Sequence, residues 1–356
     1  MRHKEPFNMR YRHLGRSGLR VSQLCLGTMS FGDMWGFGAD AQTSAQIIDT
    51  FGKAGGNFLD TANKYHEGHT EEILAPIINA DRDYWVVATK YTLNTRADDP
   101  NACGNSRKNL RQAVEASLRR LQTDHIDLLW VHAWDFGTPV EEVMRSLDDL
   151  VRAGKVLYVG ISDAPAWVAS HANTLAQLRG WTPFIGLQIE WSLLQRTVER
   201  DLVPMARAFD IGITPWGPLG AGILTGKYTR EGDERLGDSK RQAMVNQRLT
   251  PAKIKIAKAV DAVADEIGCT SAQVAVAWLA HQGIDTFPIF GARKLSQIED
   301  VLGAVDIELS AAQLASLDEV SKIELGFPHE FLGSPQVSNI IYGDNGQKID
   351  HPPKRG

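Results

Sequence analysis

The 356-residue chain holds 43% hydrophobic and 23% charged residues, proportions that exclude wholesale disorder, collagen-like repeats and a disulfide-stapled miniprotein. Lys plus Arg number 38 against 43 Asp plus Glu, a net charge of -5, so no basic footprint points to nucleic acid or an anionic membrane surface as partner. Cys25, Cys103 and Cys269 lie far apart with no CxxC pair, no signal-like apolar run opens the chain, and no stretch approaches the roughly 20 apolar residues of a membrane span; the expectation is a reduced, soluble, cytoplasmic protein.

MRYRHL and LRVSQL flank a turn at Gly15 to Gly18, which predicts an N-terminal hairpin placed to plug a barrel floor. Short β-rich runs follow at 22–28, 57–62, 85–90, 125–132, 156–163, 184–191, 212–216 and 285–292, and helix-period runs lie between them. Ile47, Phe51 and Ala54 mark one amphipathic face, and Leu110, Val114, Leu118 and Leu121 another. Thr138, Pro139 and Glu141 read as N-cap, first helical residue and capping-box partner of a helix with the stripe Val140, Met144, Leu147 and Val151, stopped by Gly154. Eight strands, each followed by a helix, give the count of a (β/α)8 TIM barrel, an α/β architecture that right-handed crossovers close without an edge. The long interval before the last strand holds a polar loop, TREGDERLGDSKRQ, and two helical runs at 251–267 and 271–282, one of them extra to the barrel. The expected organisation is one domain over 1–356, with a barrel core at about 20–320 and a Pro- and Gly-punctuated tail at about 326–356 that wraps the surface.

In such barrels chemistry sits at the C-terminal ends of the strands. Those ends read Asp60, Lys90, His132, Ser162 with Asp163, and Gln188 with Glu190, and Tyr65 follows Asp60 in its loop. A phenol with a reference pKa near 10 gives up its proton reluctantly, and an ammonium within about 4–6 Å lowers that value. Lys90 is placed to be that ammonium, Asp60 to hold it charged, and His132 to donate to a substrate carbonyl or relay a proton. His66, Glu67 and His69 form HEGH, one residue short of the HExxH zinc spacing, and GISDA lacks the closing glycine of a nucleophile elbow; no metal site is expected.

Strand seven opens a second signal, PWGPLGAGILTGKY, with Gly217, Gly220, Gly222, Gly226 and Lys227. Glycines let backbone approach a phosphate, and barrels often hold phosphate after strands seven and eight. The spacing is not that of a Rossmann fingerprint. After strand eight, GARK opens a helix at which Arg293 could pair bidentately with a phosphate. Trp35, Trp134, Trp191 and Trp216 fall in or near rim loops and would suit an apolar substrate.

With these positions in hand the sequence resembles the aldo-keto reductases from about Met9 to Leu325, through GTMSFG at 27–32, DTANKY at 60–65, ATKY at 88–91, LLWVHAWD at 128–135, GISD at 160–163, LQIEWSLLQR at 187–196, PWGPLGAGILTGKY and GARKLSQIEDVL at 291–302. The resemblance implies a catalytic tetrad of Asp60, Tyr65, Lys90 and His132, with Tyr65 the acid in reduction, and a substrate pocket of Trp35, Tyr65, His132 and Trp134. It implies NADPH/NADP+ bound without a Rossmann domain. Ser162, Asp163 and Gln188 would hold the carboxamide and Trp191 would stack on the nicotinamide. Gly217, Pro218, Leu219, Gly220, Gly222 and Lys227 would take the pyrophosphate, Arg293 the 2′-phosphate, and Gln297 and Asp300 the adenine side. Gly27, Thr28, Met29, Asp60, Trp216 and Gly291 complete the cofactor-binding set.

Against the family's usual residues, Trp191 is read as standing for Tyr, Asp163 for Asn, Gly217 for Ser, and Asp300 with Val301 for Glu-Asn. The expected function is NADPH-dependent, reversible reduction of a small-molecule ketone or aldehyde, with bulky or cyclic carbonyls favoured by the aromatic rim. The alternative on the same fold is a nucleotide-binding redox sensor resembling potassium-channel β subunits. Oligomeric state is not legible in the sequence.

Overall fold

The structure is a computed structural model that describes residues 7–230 and 249–349. A hairpin of β1 (Tyr11–His13) and β2 (Arg20–Ser22) precedes a closed barrel of parallel strands: β3 (Cys25–Gly27), β4 (Phe58–Asp60), β5 (Val86–Tyr91), β6 (Ile126–Val131), β7 (Val156–Ser162), β8 (Phe184–Glu190), β9 (Gly212–Trp216) and β10 (Ile289–Gly291). They pair in chain order, and β10 closes the ring against both β9 and β3. All eight expected strands are present. Their two-sided burial, complete along β5 and β6, is what the near-continuous apolar runs require of strands with a filled interior and helices outside.

The helices are α1 (Ala41–Lys53), α2 (His69–Ile78), α3 (Arg107–Leu121), α4 (Val140–Arg152), α5 (Ala166–Arg179), α6 (Leu202–Phe209), α7 (Pro251–Ile267), α8 (Ser271–Ala280), α9 (Leu295–Leu302) and α10 (Ala311–Ser321). Apart from Ala54, the part-buried C-cap of α1, the expected stripes face inward: Ile47 and Phe51 on α1, and Leu110, Val114, Leu118 and Leu121 on α3, are buried. Each such side chain contributes roughly 1.5–3 kcal/mol on burial. Among the described residues two helices, α7 and α8, lie between β9 and β10 where the barrel needs one. The polar loop expected there lies, beyond Arg230, outside the described residues.

Three local readings change. Helix α4 begins one residue later than expected, at Val140, and Pro139 occupies its N-cap position without a side-chain bond. Thr138 instead donates its hydroxyl to Asp135 at 2.8 Å, which removes it from capping. An unforeseen helix, α10, buries Leu317 and places the Asp318 carboxylate on the Trp278 indole N–H at 3.1 Å. The tail is helical in part, with α11 (His329–Leu332) and α12 (Pro335–Tyr342) exposing Phe327, Phe331, Leu332, Ile340 and Ile341; residues 350–356 lie outside the described part.

The floor of the barrel is plugged as expected. Leu14 at the hairpin turn is fully buried among Phe58, Leu128, Trp130, Ile185 and Phe287. Gly15 has φ +52°, and a Cβ there would meet the Ile185 carbonyl at 2.3 Å, so the turn backbone lies directly on the barrel. Inside, Gly160 and Gly186 are register partners, and a Cβ on either would strike the Trp130 ring at 2.3 and 2.7 Å respectively. Two strand glycines are thus the space that one interior tryptophan needs.

Candidate active site

At the opposite end the strands bring Asp60, Lys90, His132, Ser162, Gln188 and Trp216 to one rim. Strand parity places them there: Lys90 is the register partner of Trp130, Ser162 of Gln188, and Glu190 of Trp216. Lys90 is 1% exposed and all three of its N–H donors are used. One makes a close ion pair with Asp60 Oδ2, one reaches the Thr61 carbonyl at 2.8 Å, and one reaches the Tyr65 hydroxyl oxygen at 3.1 Å. Gln188 Nε2 donates to the other Asp60 oxygen at 3.0 Å.

This closed arrangement has a chemical consequence. Lys90 has no donor left for a ligand, whereas Tyr65 accepts from Lys90 and keeps its own O–H free. Burial pulls the Lys90 pKa down, but the Asp60 carboxylate and the Tyr65 oxygen outweigh it and hold the ammonium above its ordinary value. For Tyr65 the balance differs from the expectation. Burial of the hydroxyl raises its pKa and the Lys90 ammonium only partly offsets that, so the phenol sits above its usual range. The ring itself is half-buried at the mouth. Burial, followed by the Lys90 charge, depresses His132 to about 3, so its imidazole is neutral at physiological pH; the rings of Tyr65 and His132 meet edge to face with centroids 6.1 Å apart.

Tyr65 lies on a strained loop: His66 and Glu67 both have positive φ, +47° and +58°, before Gly68 leads into α2. His66, which the sequence offers only as part of HEGH, is a buried strut. Its Nε2 lies 3.2 Å from the Met29 carbonyl, and Trp35 stacks on its ring at 4.5 Å and 21°. Trp35 also meets Tyr65 edge-on at 6.4 Å, and Phe37 sits 6.2 Å from Trp35. Of the two tryptophans expected to line a pocket, Trp35 lies beside Tyr65 and Trp134 does not. Trp134 is 8% exposed and belongs to the apolar core between barrel and helices, because the chain leaves strand geometry after His132.

Trp191 is the second correction. At 1% exposure it is wedged edge-on against Trp278, with its indole N–H on Glu199 at 2.9 Å, and has no open ring face for a cofactor. The part-exposed indole of the rim is Trp216, whose N–H donates to Asp163 Oδ1 at 3.1 Å.

The remaining expected residues lie at the ends of β3, β7, β9 and β10 and in the segments that follow them. Thr28 is buried and bonded to the Asp60 carbonyl, and Met29 is 49% exposed beside it; Gly27 and Gly291 are register partners. Ser162 Oγ is buried without a hydrogen-bond partner among the described residues. After β9, Pro218 and Leu219 are enclosed by Gly217, Gly220 and Gly222, all at positive φ, and a Cβ on Gly222 would meet nothing within 4 Å. Lys227 is exposed. The N-terminus of α9 has no side-chain cap. Gln297 Oε1 accepts from the Arg293 backbone N–H at 2.8 Å, and the Arg293 guanidinium makes no bond among the described residues. Asp300 is less available than expected, since its Oδ1 accepts from Thr270 at 2.8 Å and Gln273 at 3.2 Å and so serves the start of α8. A buried orphan hydroxyl, a glycine turn with open space and a guanidinium unbonded among the described residues at an uncapped helix end are groups that could hold a phosphorylated ligand.

Fold and site together define a barrel oxidoreductase that works between a carbonyl and its alcohol. The chain belongs to the aldo/keto reductase family, whose model matches residues 23–322. It is 40% identical over 328 residues to norsolorinic acid reductase A of Aspergillus parasiticus, covering 89% of this chain and 82% of that protein. It is 39% identical over 342 residues to the aryl-alcohol dehydrogenase [NADP(+)] of Phanerodontia chrysosporium, covering 91% and 89%. An aryl-alcohol dehydrogenase of Pestalotiopsis microspora is 36% identical over 348 residues, covering 93% and 89%.

Proposed function

We propose that the protein is an NADPH-preferring reductase of aryl aldehydes or ketones, able to run in reverse on the alcohol, with Tyr65 as the proton donor. The observation that carries this reading is the saturated Lys90 ammonium: with Asp60, Thr61 and Tyr65 taking its three donors, the Tyr65 hydroxyl is the group left to protonate an incoming oxygen. The bound cofactor supplies the hydride. The residues of the chain do the rest.

Tyr65 holds its proton through neutral pH, because burial keeps its pKa high, and releases it only to an oxygen gaining negative charge. The Lys90 ammonium, fixed by Asp60, stabilises the phenolate that remains. Neutral His132 offers an N–H to the same oxygen without competing as an acid. Ser162, Gln188 and Trp216 would orient the nicotinamide, the Gly217–Gly222 turn with Lys227 would take the pyrophosphate, and Arg293 would meet the 2′-phosphate. The wall of Trp35 and Phe37 beside Tyr65 suits a flat aromatic substrate, in keeping with the aryl-alcohol relatives. No observation on the described residues favours the redox-sensor alternative.

The test is loss of reduced-nicotinamide absorbance with NADPH and NADH in parallel, across aryl aldehydes, aryl ketones and aliphatic carbonyls of similar size. The expected result is turnover with NADPH well above NADH and aryl above aliphatic substrates. Turnover indifferent to both would overturn the reading.

A further inference from the structure

The charges at the mouth do not cancel. Asp60 and Lys90 neutralise each other in a closed pair, and His132 is neutral. That leaves Asp163, immediately beyond β7, as an additional carboxylate beside the centre. Its backbone is held at φ +42°, unusual for a residue with a side chain, by an N–H to the Gln188 carbonyl at 3.3 Å and by its own carbonyl, which accepts from Trp134 N at 3.4 Å. That conformation sends Oδ1 to the Trp216 indole N–H at 3.1 Å. The carboxylate is exposed toward the open mouth, yet its charge reaches both Lys90 and the Tyr65 hydroxyl. Burial raises the Asp163 pKa above its ordinary value, and the Trp216 N–H and the Lys90 ammonium, which favour the ionised form, offset part of that rise.

Asp163 sits beside the Ser162 hydroxyl, unpartnered among the described residues, and against the part-exposed Trp216 indole, at the place where the reading above puts the nicotinamide. The two redox forms of that ring differ by one unit of charge: the oxidised ring is a cation and the reduced ring is neutral. A fixed negative charge next to the ring therefore separates their affinities, whatever the rest of the dinucleotide contributes equally to both. An amide in the same place could accept the same indole N–H without doing so. We propose that Asp163 discriminates the redox state of the cofactor, tightening NADP+ relative to NADPH and so favouring carbonyl reduction over alcohol oxidation among the bound forms. This rests on the nicotinamide-cofactor reading of the site.

The test compares dissociation constants of NADP+ and NADPH, measured separately by isothermal titration calorimetry, for the wild type, Asp163→Asn and Trp216→Phe. Asp163→Asn keeps an oxygen for Trp216 and removes the charge. Its Kd for NADP+ should rise about 10- to 100-fold, the range expected for a unit charge about 6 Å away at an effective dielectric between about 40 and 20, while its Kd for NADPH should change less than about threefold. Trp216→Phe removes the indole bond and keeps the charge, so both affinities should fall together and their ratio should hold. Equal changes in both affinities for Asp163→Asn, or no change, would overturn the proposal while leaving the cofactor reading intact. Failure of the wild type to bind either nucleotide would overturn both.

Discussion

At the floor of the barrel the hairpin seals the strands with apolar contacts: Leu14, Trp130 and Phe287 are fully buried, and space is matched closely enough that two glycines are needed around one indole. At the mouth the same strands end in groups the fold itself does not satisfy. Thr61 Oγ1, Asn63 Oδ1, His132 Nδ1 and Ser162 Oγ are buried without partners among the described residues, and His66, Glu67, Thr92, Phe136, Asp163 and Ala221 hold positive φ in the loops that follow the strands. Among the described residues the Trp130 indole N–H is the floor's one comparable orphan. Unmet polar atoms and strained backbone persist where a ligand can repay them, so the contrast separates the end that stabilises the molecule from the end that does chemistry.

Substitutions should respect that division. Lys90→Met breaks a buried pair and leaves Asp60 uncompensated; we expect about 3–5 kcal/mol of lost stability and loss of nearly all turnover, checked by denaturant melts and NADPH oxidation. Gly160→Ala drives a Cβ into the Trp130 ring, for a loss of roughly 1–3 kcal/mol by the same melts, with kcat of the folded protein unchanged; a large fall in kcat would blur the two-ended account. Arg293→Ala removes a guanidinium that makes no bond among the described residues, and should weaken NADPH by roughly 10- to 100-fold while leaving NADH nearly unaltered.

The smallest expected effect is on pH dependence. With His132 depressed to about 3 and Tyr65 raised above its ordinary value, neither group changes protonation between pH 5 and 9. The reductive kcat/KM should therefore show no inflection near 6.5, and should fall only in the alkaline range as Tyr65 loses its proton. An inflection near 6.5 that disappears in His132→Asn would contradict the neutral imidazole.

Much of this was legible in the sequence, for local reasons. Short β-rich runs separated by helix-period runs gave all eight strands, the 3.6-residue stripes gave α1, α3 and α4, and the strand ends gave Asp60, Lys90 and His132. Trp191 and Trp216 show what was misjudged although it could be read. Gln188 points inward to Asp60, so alternation turns Ile189 and Trp191 outward, while Gly212, Thr214 and Trp216 share the inward face of β9. Counting parity selects Trp216 as the rim indole. Trp134 and the loop through His66 follow no such period, because they leave regular structure within a residue or two of a strand end or a turn. Their side chains are placed by tertiary packing against α4 and Trp35. Nor does the sequence show that burial outweighs the ammonium at Tyr65, since that balance depends on depth rather than on which residues are neighbours.

The central claim is that Tyr65 is the proton donor of the mouth. The most direct measurement pairs two readouts on Tyr65→Phe: steady-state NADPH oxidation with an aryl aldehyde, and NADPH binding by calorimetry. The account predicts a fall in kcat of about 10²- to 10⁴-fold with the NADPH dissociation constant essentially unchanged. Retained turnover in a variant that binds NADPH normally would contradict it.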